Sequence, residues 1–120
     1  MIVREKLFNK AMKDIGMRAK DECGYDVTVF FKMLSEKGGV SVAKSLVVLP
    51  GFSYMFANLA AWGRLDLSIE ALVVNDDYKE LFNDHERYVC RKRLEESGYE
   101  IVNNDRSYSV LPEGLQETGT

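Results

Sequence analysis

The sequence predicts a mainly α-helical single domain, a compact bundle of about five or six short helices with a candidate small C-terminal β-hairpin. Apolar residues recur every three or four positions along most of the chain, glycines interrupt the periodic runs, and Ser, Asn or Asp precedes most of them. A chain of 120 residues can bury one core and is too short for two. We therefore expect residues 1–111 to form the domain and residues 112–120 to form a flexible tail.

Two helices are predicted before the glycine pair at positions 38–39. Apolar side chains at four-residue steps predict an amphipathic helix from Val3 to Cys23, which Gly24 ends. Either Asp26 or Thr28 can cap a second helix, and the glycine pair ends it. Each of the two helices is expected to pack by one apolar face.

The middle of the chain predicts a short third helix and an unusually apolar fourth one. Ser41 is the expected cap of the third helix, and Pro50 ends its pattern. Ser53 is the expected cap of the fourth, which runs from Tyr54 to Trp62 and has more large apolar side chains than one narrow stripe can hold. We interpret this fourth helix either as a central core helix or as an exposed docking or dimer face.

Two shorter helical segments are predicted next. The segment Leu67–Val74 has Asp66 or Ser68 as its cap. Although Ala71–Val74 has the composition of a strand, the caps and the helical neighbours favour a helix. A single helical turn is predicted over Asp77–Phe82.

The last predicted helix begins after Asn83, which forms a capping-box pattern with Glu86, and runs to Ser97. Beyond it, residues 99–102 and 107–110 alternate apolar and polar side chains on either side of an Asn-Asn-Asp-Arg turn. This pattern is typical of a small hairpin.

Composition places the chain among ordinary globular proteins. The net charge of −3, from 19 acidic and 16 basic residues, provides no overall attraction to phosphate backbones or anionic membranes. No apolar run approaches the length that crosses a bilayer, and the first residues lack the apolar stretch of a signal peptide. Cys23 and Cys90 are far apart in sequence, so we expect two buried thiols rather than a metal pair or a disulfide. Together these features predict a cytoplasmic protein.

The sequence contains no recognisable catalytic or metal-binding motif. His85 and Cys90 are the best candidates for a nucleophilic pair, but five positions on a helix turn their side chains roughly 140° apart. We interpret His85 as a surface residue and Cys90 as a core residue. The densest acidic group, Asp76, Asp77 and Glu80, lacks the ligand-bearing loop of a calcium site. We therefore predict no catalytic residue, no metal site and no cofactor.

The aromatic helix is the strongest signal for binding. Absence of catalytic motifs and an excess of aromatic side chains favour a non-catalytic protein-interaction or regulatory module. Its partner is expected to be another protein or a second copy of the chain. The predicted partner-binding residues are Phe52, Tyr54, Phe56, Trp62, Arg64, Asp66 and Glu70.

The charged residues of this set also have a structural explanation. Asp66 can cap the following helix, while Arg64 pairs with Glu70 or with carbonyls at the end of the preceding helix. A second charged group alternates with acids near the end of the last helix and is expected to form a solvated, salt-bridged face. Its members are Arg87, Arg91, Lys92 and Arg93.

Nucleic-acid binding is the alternative function. Residues 27–48 have the layout of a helix-turn-helix unit, with the glycine pair as the turn. The second helix of this unit offers only Ser41, Lys44 and Ser45 to a groove, which is little for base and phosphate contacts.

Three stretches of the chain resemble a family of small uncharacterised bacterial proteins. They are GRLDLSIEALV at 63–73, YKELF at 78–82 and RKRLEESGY at 91–99, and the likeness covers about residues 3–100. Members of that family are standalone proteins or appended domains, so the resemblance implies a domain and no catalytic residue. The family pattern has a Trp at the place of Ala60, whereas this chain carries Trp62, and its LFT motif ends here in Asn83.

Overall fold

The computed structural model describes residues 3–48 and 53–101, and within these ranges the protein is a compact, mainly helical globule with no strand. Two 3₁₀ segments, Leu65–Leu67 and Asp76–Leu81, flank the fifth helix. The α-helices of the described ranges are α1 Val3–Cys23, α2 Thr28–Lys37, α3 Gly39–Val47, α4 Tyr54–Ala61, α5 Ile69–Val73 and α6 Asp84–Glu96. The predicted helical class is thus confirmed. The hairpin prediction lies mostly outside the described residues, as does the tail at 112–120.

Helix α1 is the element around which the others are arranged. It packs against α2, α3, α5 and both 3₁₀ segments. Phe8, which is fully buried, meets Tyr78 and Phe82 edge to face, with ring centroids 5.2 Å apart in each pair. The buried face of α1 runs from Phe8 through Met12 to Cys23, whereas Val3 and Leu7, which begin the four-residue apolar steps of the sequence, are exposed.

Two glycines allow close approach to α1. A Cβ atom on Gly16 would lie 2.7 Å from the ring of Phe31 and 2.9 Å from that of Phe30, so α2 packs directly on the α1 backbone. A Cβ on Gly39 would lie 2.6 Å from the Asn9 Oδ1 atom, which accepts a hydrogen bond of 2.6 Å from the Gly39 backbone N–H. Side chains at either position would displace the neighbouring helix.

The α2–α3 junction corrects one predicted cap. Gly38 ends α2 with a positive φ of 82° and also stands before the first residue of α3. Helix α3 therefore begins at Gly39, and Ser41 lies inside it rather than capping it. The Ser41 prediction was wrong because it assumed that both glycines belong to a turn, whereas the contact with α1 holds Gly39 in the helix.

The predicted caps of α4, α5 and α6 are present, whereas the N-cap of α2 is Val27, without a side-chain hydrogen bond, rather than Asp26 or Thr28. The Ser53 hydroxyl accepts a hydrogen bond from the Phe56 N–H at the start of α4, and Asn83 forms the full capping box with Glu86 at the start of α6. Of the two candidates before α5, Ser68 is the cap, because its hydroxyl accepts from the Ala71 N–H. The segment that resembled a strand is therefore helical.

Arg87 of α6 donates hydrogen bonds to carbonyl oxygens at the carboxyl end of α5. Its guanidinium donates to the carbonyl oxygens of Val73 and Val74 at 3.4 and 2.9 Å, and to the Asp76 carboxylate at 2.8 Å. A helix of five residues leaves most of its carbonyls without an internal partner. Arg87 thus stabilises an element that is too short to be stable alone.

Arg93, also on α6, does the same for α3 from a buried position. It donates to the carbonyl oxygens of Leu46 and Val47 at 3.4 and 3.3 Å, and pairs with the Glu70 carboxylate of α5 at 3.3 Å. Arg93 is 8% exposed and Glu70 is 4% exposed. The prediction of a solvated basic face is wrong for Arg87 and Arg93, because both reach inward to helix ends.

We expect Gly16→Ala to destabilise the fold by about 1–3 kcal/mol through overpacking against α2. The new methyl group would collide with two aromatic rings, and this cost should exceed the gain of about 1 kcal/mol in helix propensity. Urea unfolding followed by circular dichroism measures the change. The exposed control Lys10→Ala in the same helix should stay within about 0.5 kcal/mol of the parent, and a stabilised Gly16→Ala protein would contradict the close packing.

Candidate protein-interaction site

The structure divides the predicted aromatic set between the core and the surface. On α4, Phe56 is buried together with Met55 and Leu59. Tyr54 is 90% exposed, and Trp62, which follows the last residue of α4, is 57% exposed. Phe52 lies outside the described residues. Phe56 therefore anchors the helix to the core, while Tyr54 and Trp62 are available at the surface.

The outer side of α4 is exposed and uncharged. Besides the two aromatic residues, Ala57 and Ala61 point away from the core, and no residue from Tyr54 to Trp62 is charged. We call Tyr54, Ala57, Ala61 and Trp62 the α4 face. An exposed helix side ordinarily carries charged or polar residues. An aromatic and aliphatic surface in that place is typical of a contact with another molecule.

An apolar groove of about 350 Å³ adjoins the α4 face. It lies between α2 and α4, and Tyr54 forms part of its wall. Val29 of α2 stands on the opposite side and is 68% exposed. The other lining residues are Tyr25, Phe30, Met33, Leu46, Ser53, Met55 and Ile69. The groove and the α4 face thus form one continuous apolar surface. Sequence reasoning missed Val29, since its position relative to α4 depends on how the helices pack.

The charged residues that were predicted at the rim have separate positions. The Arg64 guanidinium binds both Asp66 oxygens, at 3.0 and 3.1 Å, and its third contact is with Glu22 of α1 at 2.6 Å. Glu70 is buried beneath the surface and pairs with Arg93. The predicted Arg64–Glu70 pair is therefore wrong, and of the three charged residues Glu70 is not part of an exposed rim.

The Arg64 cluster has strong electrostatic coupling. Arg18, one turn before Glu22 on α1, binds it at 2.8 Å. Glu22 therefore receives hydrogen bonds from two arginines. These contacts, with Arg18 first and Arg64 second, lower the pKa of Glu22 from 4.5 to about 2. The same carboxylates raise the pKa of Arg64. The cluster ties the turn after α4 to α1.

No protein-family model, curated protein or solved structure matches this chain.

The residues with nucleophilic or metal-binding chemistry are separated. His85 is exposed on the first turn of α6, while Cys90 is fully buried. Burial raises the pKa of the Cys90 thiol to about 12, so the thiol is protonated at neutral pH. Within the described ranges, no three His, Cys, Asp or Glu side chains are grouped as metal ligands. None of the helices in those ranges is long and apolar enough to cross a bilayer.

The second helix of the proposed helix-turn-helix unit is α3, and its polar side chains are largely engaged. Lys44 pairs with Glu86 at 2.8 Å and lies over the Phe82 ring. The Ser45 hydroxyl donates to the Ser41 carbonyl at 2.9 Å. The side of α3 that would face a groove of DNA thus presents one cation, Lys44, and the carboxylate of Glu86 already neutralises its charge.

Stability should depend on pH through Glu22. Since its pKa is lower in the folded protein than its ordinary value, ionised Glu22 favours the folded state above about pH 5, and this contribution disappears as the pH falls from about 4.5 to about 2. Glu22→Gln should lower the stability at pH 7 and flatten the acid limb of the stability profile. Urea unfolding at a series of pH values measures both. The control Glu36→Gln, at an exposed carboxylate of α2, should leave the loss of stability at acid pH as it is in the parent. If Glu22→Gln also left it unchanged, the two arginines would not stabilise ionised Glu22.

Proposed function

We propose that this protein is a non-catalytic protein-interaction module that docks through the α4 face and the adjoining α2–α4 groove. The observation that supports the proposal most is the exposed, uncharged aromatic surface at Tyr54 and Trp62 beside an apolar groove. Aromatic residues of this kind dominate the energy of protein interfaces when they enter a partner's pocket. Arg64 and Asp66 lie next to Trp62 in sequence and are a polar rim in this proposal.

A second copy of the chain is the partner that this surface fits best. A two-fold interface brings the same patch of both subunits together, so the patch must be complementary to itself. An uncharged aromatic and aliphatic face meets this requirement, because it brings no like charges together. The groove beside Tyr54 can receive the corresponding aromatic side chain of the other copy.

We also propose a cytoplasmic location and a relationship to the small bacterial family that the sequence resembles. In support of the first, Cys23 and Cys90 are both free and buried. The second is based on the three sequence stretches at 63–73, 78–82 and 91–99. Neither proposal assigns a reaction. Nucleic-acid binding gains no specific support from α3.

We expect the protein to form a dimer that the double variant Tyr54→Ser, Trp62→Ser loses. Removing an aromatic anchor from the centre of an interface costs about 2 kcal/mol, which is about 30-fold in the dissociation constant. Size-exclusion chromatography with light scattering over a range of concentrations measures the change. Because Trp62 is the single tryptophan of the chain, its fluorescence emission should also shift to the blue as the native protein is concentrated.

Tyr88→Ser is the matched control, since Tyr88 is an exposed aromatic residue of α6 away from the α4 face. This variant should remain a dimer. Circular dichroism establishes that both variants are folded. A native protein that stays monomeric with unchanged Trp62 emission, or a dimer that survives in the double variant, would rule out self-association through the α4 face.

A further inference from the structure

A second surface, on helix α1, carries a row of lysines. Exposed residues at steps of four and three positions occupy one side of this helix, the spacing that keeps side chains on a single face. They are Lys6, Lys10, Lys13, Met17 and Lys20, and we call them the lysine stripe. From its first to its last residue the stripe extends about 21 Å along the helix axis. It is therefore as long as a helix of four turns.

The stripe is a local concentration of positive charge on an acidic protein. Its four lysines belong to a chain whose net charge is −3. Within the described residues, none of the four forms an ion pair, whereas Arg18 on another side of the same helix binds Glu22. Asp14 lies one turn beyond Lys10, and Asp21 lies one turn beyond Met17, so two carboxylates adjoin one edge of the stripe. Four neighbouring ammonium groups attract an acidic molecule and repel a second copy of the same stripe.

An apolar groove of about 590 Å³ runs beside the stripe. One wall comes from α1, where Lys13 and Met17 belong to the stripe as well, and the other wall comes from α2. The α2 residues of this wall are Phe31, Leu34 and Ser35, none of which is charged. The groove passes Asn9 and continues into a smaller cavity of about 230 Å³ between Glu5 and Lys37. The apolar groove and the lysine stripe thus lie side by side along one face of the bundle.

We propose that the lysine stripe and the α1–α2 groove together bind an acidic amphipathic helix of another protein. Apolar side chains of the partner would enter the groove, and its acidic side chains would meet the stripe. A partner helix whose side chains repeat every three to four residues matches the spacing of the lysines. This surface is separate from the α4 face, so the proposal does not depend on self-association.

The shape of the surface favours a peptide over the other polyanions. A duplex offers phosphates to the lysines but has no aliphatic side chain for the groove. An anionic bilayer is bound by several apolar residues that protrude, whereas the stripe has one exposed apolar residue, Met17, beside the buried Leu34 and the half-buried Phe31. Only the amphipathic helix uses both halves of the site.

The probe for the test is a fluorescein-labelled synthetic helix of about 14 residues, with leucines on one face and glutamates on the other. Fluorescence anisotropy measures its binding to the full chain. Its control is a peptide of the same composition in which the leucines are distributed around the helix, and this control should bind at least about tenfold more weakly. Duplex DNA and phosphatidylserine vesicles are measured in parallel.

Charge reversal tests the stripe. The double variant Lys10→Glu, Lys13→Glu should bind the peptide at least about tenfold more weakly than the parent does. Lys79→Glu, Lys92→Glu produces the same net charge at exposed positions on other elements and should change the binding by less than about twofold. Met17→Asp should also weaken the binding of the peptide, although it changes none of the lysines, because it places a charge in the groove.

Methionine methyl resonances locate the bound peptide. Met17 lines the α1–α2 groove, whereas Met33 and Met55 line the α2–α4 groove. We expect the Met17 methyl signal to shift on titration and the other two to stay in place. The proposal is overturned if the peptide does not bind, if both peptides bind equally, if both charge variants respond alike, or if Met33 and Met55 shift in place of Met17. It is also overturned if DNA or vesicles bind through the stripe more tightly than the amphipathic peptide.

Discussion

The buried ion pair between Arg93 and Glu70 holds the short helices of this fold in position. It joins α6 to α5, and through the carbonyls of Leu46 and Val47 it also joins α6 to the end of α3. Burial raises the pKa of Glu70, and Arg93 only partly offsets that effect. The pair is thus costly to desolvate, and its value lies in fixing one arrangement of the three helices. A five-residue helix such as α5 has little stability without such contacts.

The two proposed surfaces differ in chemistry because they present different residue types. The α4 face presents aromatic and aliphatic side chains without charge, which suits a copy of itself. The lysine stripe presents four cations beside an apolar groove, which suits an acidic partner. Helix α2 contributes a wall to both grooves, with Phe31 on one side and Val29 on the other.

Local signals predicted the helices and most caps, because helix periodicity and the caps at Ser53 and Asn83 depend on residues within one turn. Contacts between residues that are distant in sequence were not predictable. Arg93 was read as a surface cation, although it binds a carboxylate 23 residues away, and Phe56 was assigned to the same face as Tyr54, although α4 turns it into the core. Ser41 failed as a cap because the helix start depends on a contact between Gly39 and Asn9, 30 residues apart.

A double-mutant cycle on Arg93→Met and Glu70→Gln, read by urea unfolding, tests the framework most directly. Each single change leaves a buried charge without its counter-charge, so each should cost about 3–5 kcal/mol, with Arg93→Met the larger because it also removes a donor from two carbonyls. The double variant should cost less than the sum by at least about 1 kcal/mol. Single changes below about 1 kcal/mol, as for an exposed pair, or strictly additive losses would contradict the claim that this ion pair holds α3, α5 and α6 together.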